Sequence, residues 1–580
     1  MTDVRQREPH HRDIALHATG LLRAFNDAEV LTAADVHVAS RVGASVGETD
    51  ESALLAMAFA VRAARQGSVC VDLASLGPEG DAIADGLAWP EPTAWEESVS
   101  ESRLGAYGVI HHDLGRLYLD RYWREEVQVA DDLAARASLP VMVDAETLGS
   151  ALGAAFPGAG YGEQRDAARV CCTHRMSIVT GGPGTGKTTT IARLVASLRA
   201  VDGARLRVAL AAPTGKAAAR ITQAVYAETG KPDFPLEAAA YVSSLTATTI
   251  HRLLGWRPES RNRFRHDRTN PLPYDVIVVD ETSMVSLTLL ARLLEAVPPH
   301  ARLVLVGDAD QLTSVEAGAV LRDLVDGLGV GSDAVAELRT SHRFRGGIAE
   351  LADAVRLGDS AAALGILESG DPAASLVDDI EGPVRAAVRE LHDAADRGDR
   401  SGALAALGRH QLLCAHNTGP AGARWWNRQA ATWLAQSLGV DFLAGRYPGQ
   451  PLLVTENDYS LGLFNGDTGV VLRDPETGRL SALMADGGSD QGRELHLSRL
   501  AEVTTAHAMT VHRAQGSQYG EVSVVLPDLD SRLLTRELFY TAVTRARHTV
   551  RVRGSREAVV AAVEQRAARA TGLAVRLRST

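Results

Sequence analysis

Short apolar runs alternate with helix-like stretches in two separate parts of the chain. The runs in the first part are Ser177–Thr180, Arg207–Ala212, Val276–Asp280 and Arg302–Gly307. In the second part, from residue 501 onward, the pattern predicts a strand over Glu521–Leu526 and a helix over Arg536–Ala546. Apolar strands separated by helices are typical of parallel sheets that are covered on both faces. The chain is therefore predicted to be an α/β protein with two parallel-sheet lobes, the second of them interrupted.

The segments outside these runs have other patterns. Residues 1–150 contain helical stretches such as Glu51–Arg65 and Val127–Ala137, and they carry no nucleotide motif. Residues 341–440 favour helices with one strand near Gln411–Ala415. Short strands and turns such as Asn465-Gly466 then follow.

These patterns predict three domains. We expect a helical N-terminal domain over 1–150, a first lobe over 151–340, and a second lobe over 341–580 that contains a small β module near 441–500. The N-terminal domain has apolar helices but no catalytic motif, so it is the best candidate for docking a partner. The alternative is an accessory domain that packs on the first lobe.

Composition restricts the class of protein. The chain has 580 residues and a net charge of −12, which argues against wholesale basic wrapping of nucleic acid but not against a local basic channel. No apolar run approaches the ~20 residues of a membrane span. Residues 1–5 mix charges and lack the apolar core of a signal peptide, so a cytoplasmic protein is expected. Its cysteines, Cys70, Cys171, Cys172 and Cys414, make no C-x-x-C motif and are predicted to be buried thiols.

The strongest chemical signal is a glycine-rich loop between a predicted strand and a predicted helix. It consists of Gly181, Gly182, Pro183, Gly184, Thr185, Gly186, Lys187, Thr188 and Thr189. Glycines let successive backbone N–H groups point at phosphate oxygens, and the helix adds the positive end of its dipole. Lys187 is placed to reach the β- and γ-phosphates, and the Thr188 hydroxyl to hold Mg²⁺. The motif predicts a nucleoside triphosphatase that uses Mg²⁺.

A second signal is the pair Asp280 and Glu281 at the end of an apolar run. Ligands bind at the carboxyl ends of parallel strands, where this pair and the glycine-rich loop both fall. Asp280 is expected to reach the metal opposite Thr188, and Glu281 to orient or deprotonate the attacking water.

Three further residues are candidates for contacts with the γ-phosphate. Gln311 follows the predicted strand that ends at Gly307, and its amide can sense hydrolysis. Arg343 and Arg545 lie where a second lobe can present them across a cleft. An arginine in that role stabilises transition-state charge.

Taken together, the motifs resemble those of superfamily 1 helicases, and most closely the RecD subunit family of bacterial exodeoxyribonuclease V. The matching runs occur in the family's order and are Tyr161–Ala168, the glycine-rich loop, Ala211–Ala218, Thr249–Gly255, Asp280-Glu281, Gly307–Leu312, Thr510–Ser517 and Tyr540–Arg547. The resemblance implies two RecA-like lobes with ATP between them and an SH3-like β insertion in the second lobe. Relatives often carry Glu where this chain has Gln518.

The family's roles are carried over to the matching positions. Gln164 would read the adenine edge, and Gly516 would complete the ATP site together with the residues named above. Thr214, His251, Thr510 and His512 would line a channel for single-stranded DNA. Small hydroxyls and backbone amides suit phosphate contacts that do not read sequence.

A polar stretch over residues 256–274 combines five arginines with Trp256 and Phe264. By analogy with the family, it is a small β-hairpin that acts as a strand-separating pin, with Phe264 as a DNA contact. The alternative is a solvated loop.

The resemblance implies an ATP-dependent 5′-to-3′ DNA translocase and helicase. It would be the motor and regulatory subunit of a helicase–nuclease complex in double-strand break repair and recombination, with RecB-like and RecC-like partners. A stand-alone 5′-to-3′ DNA helicase and a mainly regulatory subunit with ATPase activity remain as alternatives. No clustered acidic site appears beyond the ATPase carboxylates, so no nuclease site is expected in this chain.

Overall fold

A computed structural model describes most of the chain. The described residues are 13–77, 86–257, 264–314, 316–329, 332–341, 346–439, 445–458, 460–486 and 489–579.

The N-terminal region combines helices with a small antiparallel sheet. Its elements are α1 Gly20–Asp27, α2 Ala33–Val46, α3 Glu51–Arg65, β1 Cys70–Val71, a 3₁₀ turn Leu73–Ser75, α4 Pro92–Glu101, α5 Arg103–Ala106, β2 Ile110–Asp113, β3 Arg116–Leu119 and α6 Asp120–Ala137. Strand β3 lies between β1 and β2. Helix α3 has the predicted bounds, whereas α6 begins at Asp120 rather than Val127. The sequence did not predict the sheet, since its strands are too short to show a clear period.

The first lobe is built on a six-stranded sheet. Its elements are α7 Ala145–Ala155, a 3₁₀ turn Ala159–Tyr161, α8 Gly162–Thr173, β4 Met176–Gly181, α9 Lys187–Asp202, β5 Val208–Ala212, α10 Gly215–Thr229, α11 Leu236–Ser244, β6 Thr248–Thr249, α12 Ile250–Leu253, β7 Val276–Val279, a 3₁₀ turn Thr282–Met284, α13 Leu287–Ala296, β8 Arg302–Gly307, α14 Val320–Leu328 and β9 Val335–Leu338. The strand order is β6-β5-β7-β8-β4-β9, and every pairing is parallel.

Helices cover both faces of this sheet, as apolar parallel strands require. Along β8, Leu303 and Leu305 belong to one buried cluster, and Val304 and Val306 to the cluster on the other face. This arrangement confirms the predicted α/β class. It also brings the ends of β4, β7 and β8 to one edge of the sheet.

The second lobe is a five-stranded sheet with its helices. Its elements are α15 Gly347–Leu357, α16 Ser360–Glu368, β10 Ala374–Val377, α17 Glu381–Asp396, α18 Arg400–Arg409, β11 His410–Cys414, α19 Ala423–Leu438, β17 Ala508–Thr510, a 3₁₀ turn Val511–Ala514, β18 Tyr519–Val525, α20 Arg536–Val543, β19 Ala546–Arg553 and α21 Arg556–Glu564. The order is β10-β19-β18-β11-β17, again all parallel. Helix α20 ends at Val543, short of the predicted Ala546, because Ala546 already pairs with Tyr519 of β18.

An antiparallel sheet is inserted between α19 and β17. It consists of β12 Pro451–Val454, β13 Thr468–Arg473, β14 Leu480–Asp486, β15 Ser489–Leu495 and β16 Val503–Thr505, with a 3₁₀ turn over Leu497–Arg499. The strand order is β15-β14-β13-β12-β16. A β module in this part of the chain was predicted, although the sheet reaches past residue 500. Its likeness to an SH3 fold stays a prediction, as do the domain boundaries.

The C-terminal segment returns from the second lobe to the N-terminal region. Helix α22, Leu573–Ser579, packs against α14 and α6. The carbonyl of Ala570 accepts hydrogen bonds from the N–H groups of Val69 and Cys70, and fully buried Glu126 accepts one from the Gly572 N–H. No sequence pattern indicated this return, because a helix this short carries no periodic signal.

The four cysteines are free and buried, as predicted. Within the described ranges, no helix combines the length and the apolar character that crossing a membrane requires. The same residues hold no group of three or more His, Cys, Asp or Glu side chains placed to bind a metal ion.

Candidate functional site

A cavity of about 640 Å³ lies between the two lobes, at the carboxyl ends of β4, β7 and β8. It collects eleven of the residues proposed from the sequence, which are Gln164, Pro183, Gly184, Gly186, Lys187, Thr188, Thr189, Asp280, Glu281, Gln311 and Arg545. Of the others, Gly181, Gly182 and Thr185 form the base of the same loop. The structure thus brings together residues from both lobes that are up to 381 positions apart, from Gln164 to Arg545.

The glycine-rich loop has a backbone shape that other residues would strain. Gly184 and Gly186 have φ angles of +86° and +88°, in the left-handed region. A Cβ on Gly181 would lie 2.5 Å from the carbonyl oxygen of Leu338. The Lys187 ammonium donates to the carbonyl oxygens of Gly181 and Gly182, at 2.5 and 2.9 Å. A bound phosphate would offer this ammonium group charged acceptors, which form stronger hydrogen bonds than carbonyl oxygens do.

Asp280 and Glu281 follow the last residue of β7. The Glu281 N–H donates to Oδ1 of Asp280 at 2.8 Å, and Glu281 adopts a left-handed φ of +53°, which is uncommon for a residue with a side chain. Burial, followed by the negative charge of Glu281, raises the pKa of Asp280 to about 6, although Lys187 acts in the opposite direction. A nearby cation would stabilise the ionised form of this carboxylate, which burial and the charge of Glu281 disfavour.

The donor set suits Mg²⁺. The Asp280 carboxylate and the Thr188 hydroxyl line the same cavity, and Mg²⁺ is held by one or two protein oxygens together with water and phosphate oxygens. The residues present therefore fit the metal that the loop motif implies.

Gln311 takes part in a network that crosses the cleft. Its Nε2 donates to Oδ2 of buried Asp308 at 2.8 Å, and the Tyr540 hydroxyl donates to the same oxygen at 3.3 Å. Tyr540 belongs to α20 of the second lobe, and a Cβ on Gly182 would lie 3.1 Å from its hydroxyl. Tyr540 and Asp308 therefore connect the second lobe to the phosphate loop, a role that the sequence did not indicate.

The two candidate arginines have different outcomes. Arg545 is 3% exposed, and its Nε donates to the Thr541 carbonyl oxygen at 2.9 Å. Burial lowers the pKa of its guanidinium, while the charge of Glu281 opposes that shift. Arg343 lies outside the described residues, so its role stays a prediction.

Gln164 lines the nucleotide cavity, whereas Gly516 is not one of its lining residues and lies two positions before Gln518, which is. The Gln164 Nε2 donates to the Thr185 carbonyl oxygen at 3.1 Å, which places this side chain against the glycine-rich loop. Gly516 has a φ of +72° and is held by Arg220 of the first lobe, whose Nη1 donates to its carbonyl oxygen at 3.0 Å. Arg220 and Gln518 also line the cavity, and no sequence pattern indicated a role for Arg220.

A second cavity, of about 580 Å³, lies between the lobes and the inserted sheet. Thr214, His251 and His512 line it. Burial lowers the pKa of both histidines, which favours their neutral forms. We call this cavity the channel. Thr510 lines an adjoining cavity of about 280 Å³, and Arg513 lines both.

Trp256 and Phe264 face each other in an antiparallel bridge next to the channel. Phe264 is half-buried against the core of the first lobe, and its ring centroid lies 5.9 Å from that of His251. Trp256 lines the channel and is 42% exposed. The Trp256 indole is therefore more accessible than the Phe264 ring. Residues 258–263 of the expected pin lie outside the described ranges.

Three family models match the chain. They are described as the RecBCD enzyme subunit RecD N-terminal domain over residues 27–110, an AAA domain over 164–317, and a UvrD-like helicase C-terminal domain over 505–552. The matches follow one another along the chain, and the last two include the glycine-rich loop, the pair Asp280 and Glu281, and the run Thr510–Ser517.

Relatives over the full length agree with these matches. The chain is 52% identical over 585 residues to the RecBCD enzyme subunit RecD of Mycobacterium tuberculosis, covering 98% of both proteins. It is 35% identical to the ATP-dependent RecD2 DNA helicase of Deinococcus radiodurans over 80% of this chain and 59% of that protein. A crystal structure of Bacteroides Pif1 bound to ssDNA aligns with 68% of this chain and 93% of that one, at 16% identity and a TM-score of 0.39. On its full-length identity to the mycobacterial protein, and with the matched N-terminal domain, the chain belongs to the family of RecD subunits of the RecBCD enzyme.

Proposed function

We propose that the chain is an ATP-dependent 5′-to-3′ single-stranded DNA translocase and helicase, acting as the motor and regulatory subunit of a helicase–nuclease complex in DNA break repair and recombination. The observation that carries the proposal is the pair of neighbouring cavities between the same two lobes. One has the donors for a nucleotide, and the other has hydroxyl and imidazole groups together with Lys216 and Arg513 beside an exposed indole. The names of the relatives, a RecBCD subunit and an ATP-dependent DNA helicase, support the assignment.

In this proposal the glycine-rich loop holds the phosphates of ATP through its N–H groups and Lys187. Gln164 lies at the far side of the loop and reads the base. Thr188 and Asp280 would hold Mg²⁺, which would supply positive charge against the negative charge of the phosphates. Glu281 orients or deprotonates the attacking water, and Arg545, with Arg343, stabilises the charge that develops on the γ-phosphoryl group.

Hydrolysis drives movement because the nucleotide cavity is shared between the lobes. Arg545 and Tyr540 belong to the second lobe, whereas Lys187 and Glu281 belong to the first. ATP draws the lobes together, and loss of the γ-phosphate lets them part. Each lobe contributes side chains to the channel, so one lobe releases the DNA strand while the other keeps it.

The partners follow from the family. RecB-like and RecC-like subunits would supply nuclease chemistry and use the N-terminal region for docking. The identity to an ATP-dependent RecD2 DNA helicase favours a stand-alone helicase as the second candidate, although this chain spans 59% of that protein.

The test uses DNA forks with either a 5′ or a 3′ single-stranded tail. DNA-stimulated ATP hydrolysis and strand displacement are measured for the full chain, alone and with partner subunits, with Lys187→Gln as the inactive control. Unwinding of 5′-tailed forks only is expected. Unwinding by the chain alone at the rate of the complex would favour the stand-alone helicase, and a lack of DNA stimulation in either setting would exclude a DNA motor.

A further inference from the structure

Lysine is rare in this chain, and the lysines occupy a small region. The sequence contains 60 lysines and arginines together, of which only Lys187, Lys216 and Lys231 are lysines. Lys187 and Lys231 line the nucleotide cavity, and Lys216 lines the channel. Since arginine supplies nearly every other positive charge, a lysine at position 216 suggests a site that needs a compact ammonium group.

Lys216 connects the two lobes. It lies in the first turn of α10, and its Nζ donates to the carbonyl oxygen of Gly466 at 2.9 Å and to Oγ of Ser517 at 2.7 Å. Gly466 lies in the turn that precedes β13 of the inserted sheet, and Ser517 is the last residue of the Thr510–Ser517 run of the second lobe. The Phe464 ring packs on the start of the same helix, where a Cβ on Gly215 would lie 2.5 Å from it. Burial lowers the pKa of Lys216 to about 8, as the low solvent access of this junction requires.

Arg220 makes a parallel contact one turn further along α10. Its Nη1 donates to the carbonyl oxygen of Gly516 at 3.0 Å, next to the residue that Lys216 holds. Residues four apart lie on the same face of a helix, so the two cations reach the same turn of the second lobe. Arg220 faces the nucleotide cavity, whereas Lys216 faces the channel.

The turn formed by residues 515–517 makes two further hydrogen bonds. The Gln515 Nε2 donates to the Leu312 carbonyl oxygen of the first lobe at 2.7 Å, one residue after Gln311. Within the second lobe, Nη1 of Arg545 donates to the Ser517 carbonyl oxygen at 3.4 Å. Residues 515–517 are therefore bound at once to the first lobe and to the arginine that faces the nucleotide.

We propose that Lys216 and Arg220 form a clasp on Gly516 and Ser517 that transmits DNA binding in the channel to lobe closure at the nucleotide cavity. Both are positioning residues, and the proposal rests on the proposed motor function. An ammonium group has three donors on a narrow stem and can bond two oxygens of different segments, whereas the planar guanidinium of arginine is wider. Lys216→Arg is therefore not a conservative change.

The clasp is tested through the stimulation of ATP hydrolysis by DNA. The full chain and the variants Lys216→Met, Lys216→Arg, Arg220→Gln and Ser517→Ala are compared at saturating ATP and saturating oligo(dT). Arg207→Met is the control for the loss of a positive charge from the first lobe, because its guanidinium pairs with Asp275 of the same lobe at 2.8 Å and lines neither cavity. Affinity for oligo(dT) without nucleotide is measured at several salt concentrations.

We expect the clasp variants to lose about 10-fold or more of the stimulation, within the usual range of coupling between sites, while the control keeps it. Lys216→Met combined with Arg220→Gln should lose little more than either alone, because both changes open the same contact. Ser517→Ala removes an acceptor without changing charge, so it also tests the proposal if the lysine variants fold poorly, which thermal melting checks.

Three results would overturn the clasp. Wild-type stimulation in the variants would exclude it. A Lys216 variant could instead bind DNA more weakly, with the slope of log affinity against log salt concentration smaller by about one, and be stimulated normally once DNA is saturating. That result would make Lys216 a phosphate contact. Full stimulation in Lys216→Arg would show that position 216 needs only a positive charge and not a compact ammonium group. A wild-type chain that DNA does not stimulate would instead contradict the proposed function itself.

Discussion

The nucleotide cavity and the channel lie side by side between the same lobes, but they are built differently. The nucleotide cavity holds charged groups on contiguous motifs, such as Lys187 in its loop and Asp280 with Glu281 after β7. The channel takes single side chains from separate elements, among them Thr214, His251 and His512, and burial lowers the pKa of both of these histidines.

The two cavities differ in how exactly their side chains must be positioned. Hydrolysis requires a few groups held against one phosphoryl group, so charge, burial and strained backbone are concentrated there. A strand that must move through the channel needs contacts that are numerous, weak and independent of sequence. Single substitutions should therefore have large effects in the first cavity and moderate effects in the second.

The largest effect is expected for Glu281→Gln. This change keeps the shape of the side chain but removes the carboxylate that we assign to the attacking water, and general-base catalysis contributes ~10²–10⁴-fold. The rate of ATP hydrolysis at saturating DNA should fall by that factor, while ATP and oligo(dT) affinity change by less than about 3-fold. Detectable unwinding by this variant would contradict the role of Glu281.

Asp280→Asn should separate activity from stability. Mg²⁺-dependent hydrolysis should be lost, because we assign this carboxylate as a ligand of the metal. The raised pKa means that the folded chain binds more protons than the unfolded chain between pH 3.8 and about 6, so this carboxyl lowers stability as the pH rises through that window. A shift of about 2 pKa units corresponds to at most about 3 kcal/mol at pH 7.

The measurement for Asp280→Asn is thermal melting in EDTA. The melting temperature should exceed that of the wild type by a few degrees at pH 7.5, and the difference should shrink below pH 6, where the wild-type carboxyl is protonated. Addition of Mg²⁺ and a nucleotide should stabilise only the wild type. A lower melting temperature of Asp280→Asn at pH 7.5 would show that other groups of the folded protein already stabilise the ionised carboxylate.

In the channel, Trp256→Ala should have a moderate effect. Base stacking on an aromatic ring is worth ~1–3 kcal/mol, so the affinity for oligo(dT) should fall by about 5- to 100-fold. Trp256→Phe should keep most of the affinity, and quenching of tryptophan fluorescence by DNA should be smaller in both variants. Tyr107→Ala, at an exposed aromatic residue of the N-terminal region, is the control. Equal affinities in all four proteins would remove stacking from the channel.

The smallest effect on DNA affinity is expected for Phe264→Ala. Its ring is half-buried against the first lobe, so the loss should appear mainly as a lower melting temperature, with oligo(dT) affinity changed by less than about 3-fold. Fork unwinding should be measured in the same variant, since the sequence predicts a pin at this hairpin. A larger loss of affinity than in Trp256→Ala would reverse the assignment of the two aromatic residues.

The sequence identified the nucleotide cavity better than the channel for a physical reason. The loop and the carboxylate pair each lie within a few residues of one strand end, so their spacing already fixes their geometry. The channel residues are isolated along the chain, and only the resemblance to a family selected them. Tyr540 and Arg220 were given no site role because a single tyrosine or arginine has no pattern of its own, and Trp256 was noted only as part of the polar stretch over residues 256–274.

By itself, the sequence determined the α/β class, the glycine-rich loop at the end of a buried strand, and the carboxylates at the end of another, since these follow from local periodicity and backbone freedom. Only the tertiary structure decided which distant groups meet. It set Arg545 across from Lys187, joined Lys216 to Ser517, and returned the C-terminal helix to Glu126. Those contacts depend on how the two lobes, the N-terminal region and the C-terminal segment pack together, and no short-range pattern along the chain encodes that packing.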